Sequence, residues 1–274
     1  MFCPGAELRA FDAATGRLLW ALPSDSSFAS AEGTADATRA FTATLTSVSA
    51  VDAATGQLLW KRGISGDGWV GSRMRSLTLS PEGDLLVATE GLFNENGFFS
   101  AAAIVALDPA TGVERWRYQD GGPTTDRSIG GLTLWENLML YTDGTGGEVV
   151  AVNRATREVV WRRAWLPGFL GRLRAPVVVD GVAYWGAGDE RVYAADARTG
   201  AEVWTAGSGR GSLRNHDVCG PYVLSTSSSL KVNRREGGRY EGNRFGNERV
   251  GQMAVADGVA YVSTERGVYA LACE

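Results

Sequence analysis

The side chains able to do chemistry are few and widely spaced. The single histidine, His216, lies in Arg214-Asn215-His216-Asp217-Val218. One imidazole cannot build a histidine metal cluster, and a Ser-His-Asp relay would have to run through it without an accompanying nucleophile motif. A polar residue satisfied by its neighbours is the plainer reading. Asp143-Gly144-Thr145-Gly146-Gly147-Glu148 has the oxygens and glycines of a calcium loop but lacks the alternating acidic spacing, and reads as a turn. Cys3, Cys219 and Cys273 are too scattered for zinc. Cys219 reads as a small core residue, while Cys3 and Cys273 could bond if the chain ends meet. Arginines recur more regularly, at Arg73, Arg75, Arg127, Arg172, Arg174, Arg210, Arg214 and Arg249. Their planar forks suit carboxylates and other anions. Three loops add aromatic groups, Trp69, Phe98 with Phe99, and Trp165 with Phe169, a composition typical of interface hot spots. They could equally fold inward as a plug.

The elements that must position these groups repeat. Ala50-Val51-Asp52-Ala53-Ala54-Thr55-Gly56-Gln57-Leu58-Leu59-Trp60 has counterparts along the chain, with Asp12, Gly16 and Trp20, then Asp108, Gly112 and Trp116, then Asp196, Gly200 and Trp204. A degenerate copy has Asn153, Arg157 and Trp161. Each copy starts with alternating residues of strand type. The Asp side chain can then bond the turn backbone, and Gly supplies a positive φ. The copies are therefore hairpins. Arg157 stands where Gly is expected, so that turn should be strained or of another type. Upstream lie further strand pairs, clearest around Asp180-Gly181 and Asp257-Gly258, a strong hairpin signal. The unit is four strands, and the Trp positions are spaced by 40, 56, 45 and 43 residues. Such repeats are the signature of a β-propeller of four-stranded antiparallel blades. The long spacing reflects an insertion at 90–99 that should put aromatics on a loop.

Blade number has two readings. In a seven-blade plan the first unit has its last two strands, the final unit its first three, and the N-terminus is incomplete. In a six-blade closed ring the end fragments complete each other. A sixth unit diverges from the motif, with Tyr240 near the Trp position. The whole of 1–274 reads as one propeller domain.

The Ala-x-Asp-x-x-Thr-Gly-x-x-x-Trp pattern resembles the tryptophan-docking repeat of the pyrroloquinoline-quinone (PQQ)-type bacterial propellers. The resemblance implies a large aromatic fastening neighbouring blades, and strand ends that gather the arginines around one mouth of a central channel. It also implies two kinds of function, because the family holds both quinoprotein dehydrogenases and the propeller of the outer-membrane barrel-assembly machinery. PQQ with calcium would belong to the first kind, which uses adjacent cysteines that this chain lacks. The expectation is a monomeric, non-catalytic scaffold that binds protein partners through its loop face. A small-anion or quinone-binding propeller with an Arg-lined mouth, including His216, is the alternative. Otherwise each arginine packs over a Trp or pairs with a nearby acid such as Asp67, Asp126 or Asp217. A net charge of −4 argues against a nucleic-acid binder. No apolar run approaches the ~20 residues of a membrane helix. No export segment stands at residues 1–5 as written, which reads as cytoplasmic, whereas the resemblance suggests the periplasm or cell envelope.

Overall fold

The computed structural model describes residues 2–3, 7–12, 14–23, 33–44, 47–64, 71–93, 99–120, 127–144, 146–164, 174–187, 189, 191–207, 215–227, 229–245 and 248–274. These form seven antiparallel sheets and, among the described residues, no helix. Sheet one holds β1 (Phe2–Cys3), β2 (Glu7–Phe11) and β3 (Leu18–Pro23). Sheet two holds β4 (Thr34–Ala35), β5 (Arg39–Ala43), β6 (Ser47–Asp52) and β7 (Leu58–Gly63). Sheet three holds β8 (Gly71–Leu79), β9 (Leu85–Phe93), β10 (Phe99–Leu107) and β11 (Glu114–Asp120). Sheet four holds β12 (Ile129–Trp135), β13 (Leu138–Asp143), β14 (Glu148–Asn153) and β15 (Val159–Ala164). Sheet five holds β16 (Val177–Val179), β17 (Val182–Gly186), β18 (Arg191–Asp196) and β19 (Glu202–Gly207). Sheet six holds β20 (Asn215–Cys219), β21 (Tyr222–Thr226), β22 (Leu230–Arg234) and β23 (Tyr240–Arg244). Sheet seven holds β24 (Val250–Ala256), β25 (Val259–Thr264) and β26 (Gly267–Ala272). In every sheet the strands follow chain order. The chain divides into two compact units, Met1–Leu132 and Thr133–Glu274.

Two open alternatives resolve and one expectation changes. The first and last sheets are separate, and β1 gives the first sheet a third strand, so the six-blade alternative, in which the end strands share one sheet, gives way to seven. The described residues of the insertion at 90–99 are strand. Phe93 and Phe99 are opposite each other in β9 and β10, which leaves 94–98 outside the described residues. Of the two readings of the fourth hairpin turn, the strained one holds and the type is unchanged. Arg157 has φ 62°, and its N–H bonds the Asn153 carbonyl at 2.8 Å, as Gly56 bonds Asp52.

Each hairpin tip is tied as its residue types require. Asp52 Oδ1 accepts from the N–H groups of Ala54 and Thr55 at 3.1 and 2.8 Å and from the Thr55 hydroxyl at 2.8 Å. Those bonds, the Thr55 hydroxyl foremost, hold the carboxyl below its ordinary range. Gly56 has φ 75° and a second reason to be glycine, because a Cβ there would lie 2.7 Å from the indole of Trp20. Trp20 Nε1 donates to the Ala53 carbonyl at 3.0 Å. The aromatic of one sheet thus sits on the hairpin tip of the next.

In sheets three, four and five the third strands β10, β14 and β18 are buried on both faces, which explains their nearly continuous apolar runs. In the first unit Val48, Ala50 and Trp60 of sheet two pack against Val87, Val105 and Leu107 of sheet three. In the second, Leu140, Ala151 and Trp161 of sheet four pack against Ala183, Trp185 and Tyr193 of sheet five.

Candidate functional site

Within the second unit, the first strands of sheets five, six and seven converge. Arg174, just before β16, donates to Gln252 Oε1 on β24 at 3.3 Å, although sheet six lies between them in sequence. Asn215, the first residue of β20, donates to the same oxygen at 3.2 Å. This places Arg174, Asn215 and Gln252 together at the starts of the innermost strands. Asp217 follows on β20. Its Oδ1 accepts from the Val218 N–H at 2.8 Å, and burial raises its carboxyl pKa against the opposing influence of backbone N–H groups and the Arg174 charge.

His216 is sealed in. Its Nε2 is 2.8 Å from the Ala175 carbonyl, the geometry of an Nε2–H donor, and Nδ1 accepts from the Gly186 N–H at 3.4 Å. Burial pushes its pKa down to about 4, the Ala175 carbonyl opposing and the Arg174 charge assisting. The ring is therefore neutral near pH 7, with both nitrogens engaged. It holds sheet six to sheet five and is not poised as a base, in line with the satisfied-residue reading.

Behind His216 the register makes a polar row. His216 is opposite Ser225 on β21, and Ser225 is opposite Lys231 on β22. Ser225 is fully buried and Lys231 is 3% exposed. The hydroxyls of Ser225 and of the neighbouring Ser227 are buried and find no hydrogen-bond partner among the described residues. In sheet five the places of Ser225 and Lys231 are held by Trp185 and Tyr193, stacked with centroids 5.6 Å apart. A face that is aromatic in one sheet is thus cationic and hydroxylic in the next.

The structure brings together Arg174 and His216 from the sequence-based set. Arg249 is exposed, 3.7 Å from Glu265, and Arg127 is half-buried. The side chains of Arg73, Arg75 and Phe99 lie outside the described residues, as do Arg172, Arg210, Arg214, Trp69, Phe98, Trp165 and Phe169. The acids Asp67 and Asp126 do too. Asn215, Gln252, Ser225 and Lys231 escaped sequence reasoning. The one available signal was that the sixth repeat departs from the motif.

The cysteines pair differently from expectation. Cys219, at the end of β20, is bonded to Cys273, just after β26. Cys219 is buried, as a core residue should be, but it is also the partner of Cys273, the place that Cys3 would have taken had the chain ends met. A quinone site with calcium does not fit what is present. No adjacent cysteines exist, and the described residues hold no group of three or more His, Cys, Asp or Glu able to bind a metal.

The family model of the outer membrane protein assembly factor BamB matches residues 4–161 and again 100–229. No curated protein sequence matches the chain. Among solved structures, BamB from Moraxella catarrhalis is similar at 18% identity, covering 97% of this chain and 78% of that one, with a TM-score of 0.71. The computationally designed Ika8 protein is similar at 15% identity, covering 98% and 92%, with a TM-score of 0.60. The fold is a β-propeller built from PQQ-type repeats.

Proposed function

The chain belongs to the family of the outer membrane protein assembly factor BamB, and from that premise we propose that it is a non-catalytic propeller, one domain over 1–274, that scaffolds protein partners through its loop face. The observation that carries the reading is the state of its one histidine. Both ring nitrogens of His216 are committed to the joint between sheets five and six, so the residue best suited to proton transfer serves packing. Trp69, Phe98, Trp165 and Phe169, on expected loops, and Phe99, at the start of β10, would supply the aromatic anchors that interfaces use. The test is recovery of proteins from an outer-membrane extract on the immobilised chain, compared with a Trp165→Ala, Phe169→Ala double variant. Equal recovery on both removes those loops as the interface, and no saturable partner removes the scaffold.

A second reading has its own support. Arg174 at the converging strand starts, with Lys231 and the Ser225 and Ser227 hydroxyls behind them, makes this end of the second unit suitable for a small oxyanion or carboxylate. A thermal-shift titration with phosphate and citrate, on wild type and on Lys231→Met, decides it. A wild-type shift that the variant loses supports the reading. No wild-type shift ends it.

A further inference from the structure

We infer that the Cys219–Cys273 disulfide does for the joint between sheets six and seven what a tryptophan does at earlier joints, and that a dithiol reductant therefore loosens the last sheet selectively. Backbone bonds identify the equivalent positions. The Cys273 N–H bonds the Gly258 carbonyl at 3.0 Å, as the N–H groups of Ala53, Ala197 and Arg235 bond those of Thr38, Gly181 and Pro221. At those three residues the carbonyl accepts the indole N–H of the preceding sheet, from Trp20 to Ala53 at 3.0 Å, Trp161 to Ala197 at 3.0 Å and Trp204 to Arg235 at 2.8 Å. Cys273 thus stands at the docking position of sheet seven.

Sheet six sends no tryptophan to it. The residue of β23 opposite Val232 is Gly242, where sheet five has Trp204 opposite Ala194. A Cβ on Gly242 would meet nothing within 4 Å. Tyr240, expected near this place, lies two residues earlier and is exposed. What joins the sheets here instead is the bond from Cys273 to Cys219, with Cα atoms 5.3 Å apart and 54 residues apart in sequence. Cys219 belongs to the shared core of Leu224, Leu230 and Val232 with Val250, Met253 and Val262. Gly220 lets the chain end approach, since a Cβ there would collide with the Cys273 carbonyl. The staple also serves a sheet of three strands whose last strand, β26, is largely exposed.

The chemistry is ordinary thiol–disulfide exchange. A reductant thiolate attacks one cysteine sulfur and expels the other as a thiolate. Its second thiol then closes on the mixed disulfide. Two electrons and two protons pass to the cysteines, and the reductant leaves as a cyclic disulfide. The reverse step, oxidation by a disulfide donor, forms the bond. It requires a compartment where such bonds persist.

Hydrogen exchange on the 274-residue chain, with and without dithiothreitol, tests the inference. Denatured, unreduced protein should titrate one free thiol, Cys3, and reduced protein three. On reduction, amides of 250–272 should exchange about tenfold faster or more, while those of 177–207 keep their rates. A Cys219→Ala, Cys273→Ala variant should reproduce the reduced pattern without reductant. Three free thiols before reduction, unchanged exchange at 250–272, or an equal loss of protection at 177–207 would each overturn it. Because reduction of wild type is itself a readout, a variant that fails to fold leaves the inference testable.

Discussion

Sheets five and six have the same four-strand order and nearly opposite interiors. Sheet five keeps the repeat: Asp196 ties the turn, Gly200 takes φ 69°, Trp204 reaches the next sheet, and Trp185 stacks on Tyr193. Sheet six has Arg234 in place of the aspartate, Gly242 in place of the tryptophan, and Ser225 opposite Lys231 in place of the stacked pair. Its hairpin survives because Gly238 supplies the positive φ and the Asn233 side chain bonds the Gly238 carbonyl at 3.0 Å. The backbone turn and the sheet-to-sheet fastening are therefore separable requirements. A sheet can lose the fastening if another bond replaces it.

The sharpest way to break that comparison is to remove the fastening from each side. Trp204 is 8% exposed, so Trp204→Ala should cost about 3–5 kcal/mol. Tyr240, the aromatic nearest the corresponding place in sheet six, is 41% exposed, and Tyr240→Ala should cost under about 1 kcal/mol. Denaturant midpoints measure both. Equal losses would mean that Tyr240 carries the joint after all.

Reducing the disulfide should come next in size. Closing a loop of this length in the unfolded chain is worth roughly 2–4 kcal/mol. The loss should appear in denaturant melts of reduced against oxidised protein, should be as large in Cys3→Ser, and should be absent in the Cys219→Ala, Cys273→Ala variant. A reduction loss abolished by Cys3→Ser would place the sensitive bond elsewhere.

How far these features could be read beforehand follows from how local they are. The motif hairpins were legible because Asp, Thr and Gly act within five residues, and their spacing alone fixed them. Even Arg157 was visible as an exception, although the turn tolerates it without changing type. The disulfide was not legible, because pairing Cys219 with Cys273 depends on two strand ends 54 residues apart meeting at one corner. The conditional pairing of Cys3 with Cys273 rested on the ends of the sequence, which carry no distance information. The polar row of sheet six was hidden for a similar reason. His216, Ser225 and Lys231 are ordinary residues until the register of three strands aligns them on one face. The insertion at 90–99 misled because its Gly and Asn residues suggest a loop, while the flanking Phe93 and Phe99 continue the pairing.

The joint between sheets five and six should also respond to acid. His216 has a folded pKa near 4 against about 6.5 for a free imidazole. Between those values the unfolded chain binds the extra proton and the folded one does not. Stability therefore falls as pH drops from about 6.5 toward 4, by up to about 3 kcal/mol at the lower end. Above pH 6.5 this contribution is fully present. A His216→Gln variant should lose that part of the slope, whatever its absolute stability. Parallel pH profiles for wild type and variant would put the imidazole in a more open setting than the Ala175 and Gly186 bonds indicate.

The smallest effect separates backbone strain from indole packing. Arg157 in sheet four and Gly200 in sheet five take the same turn position, with φ 62° and 69°. A side chain in this left-handed region costs roughly 1–2 kcal/mol. Arg157→Gly should therefore stabilise the protein by about 1 kcal/mol, after the entropy of a glycine in the unfolded chain is set against it. Gly200→Ala should destabilise by more than that strain alone, because its Cβ would stand 2.7 Å from the Trp161 indole. Measured together by thermal melts, the pair divides the motif glycine's role into its two parts. If Gly200→Ala costs no more than Arg157→Gly gains, the indole yields easily and φ alone explains the glycine. If it costs clearly more, the glycine is kept mainly so that the tryptophan of the preceding sheet can lie flat on the turn.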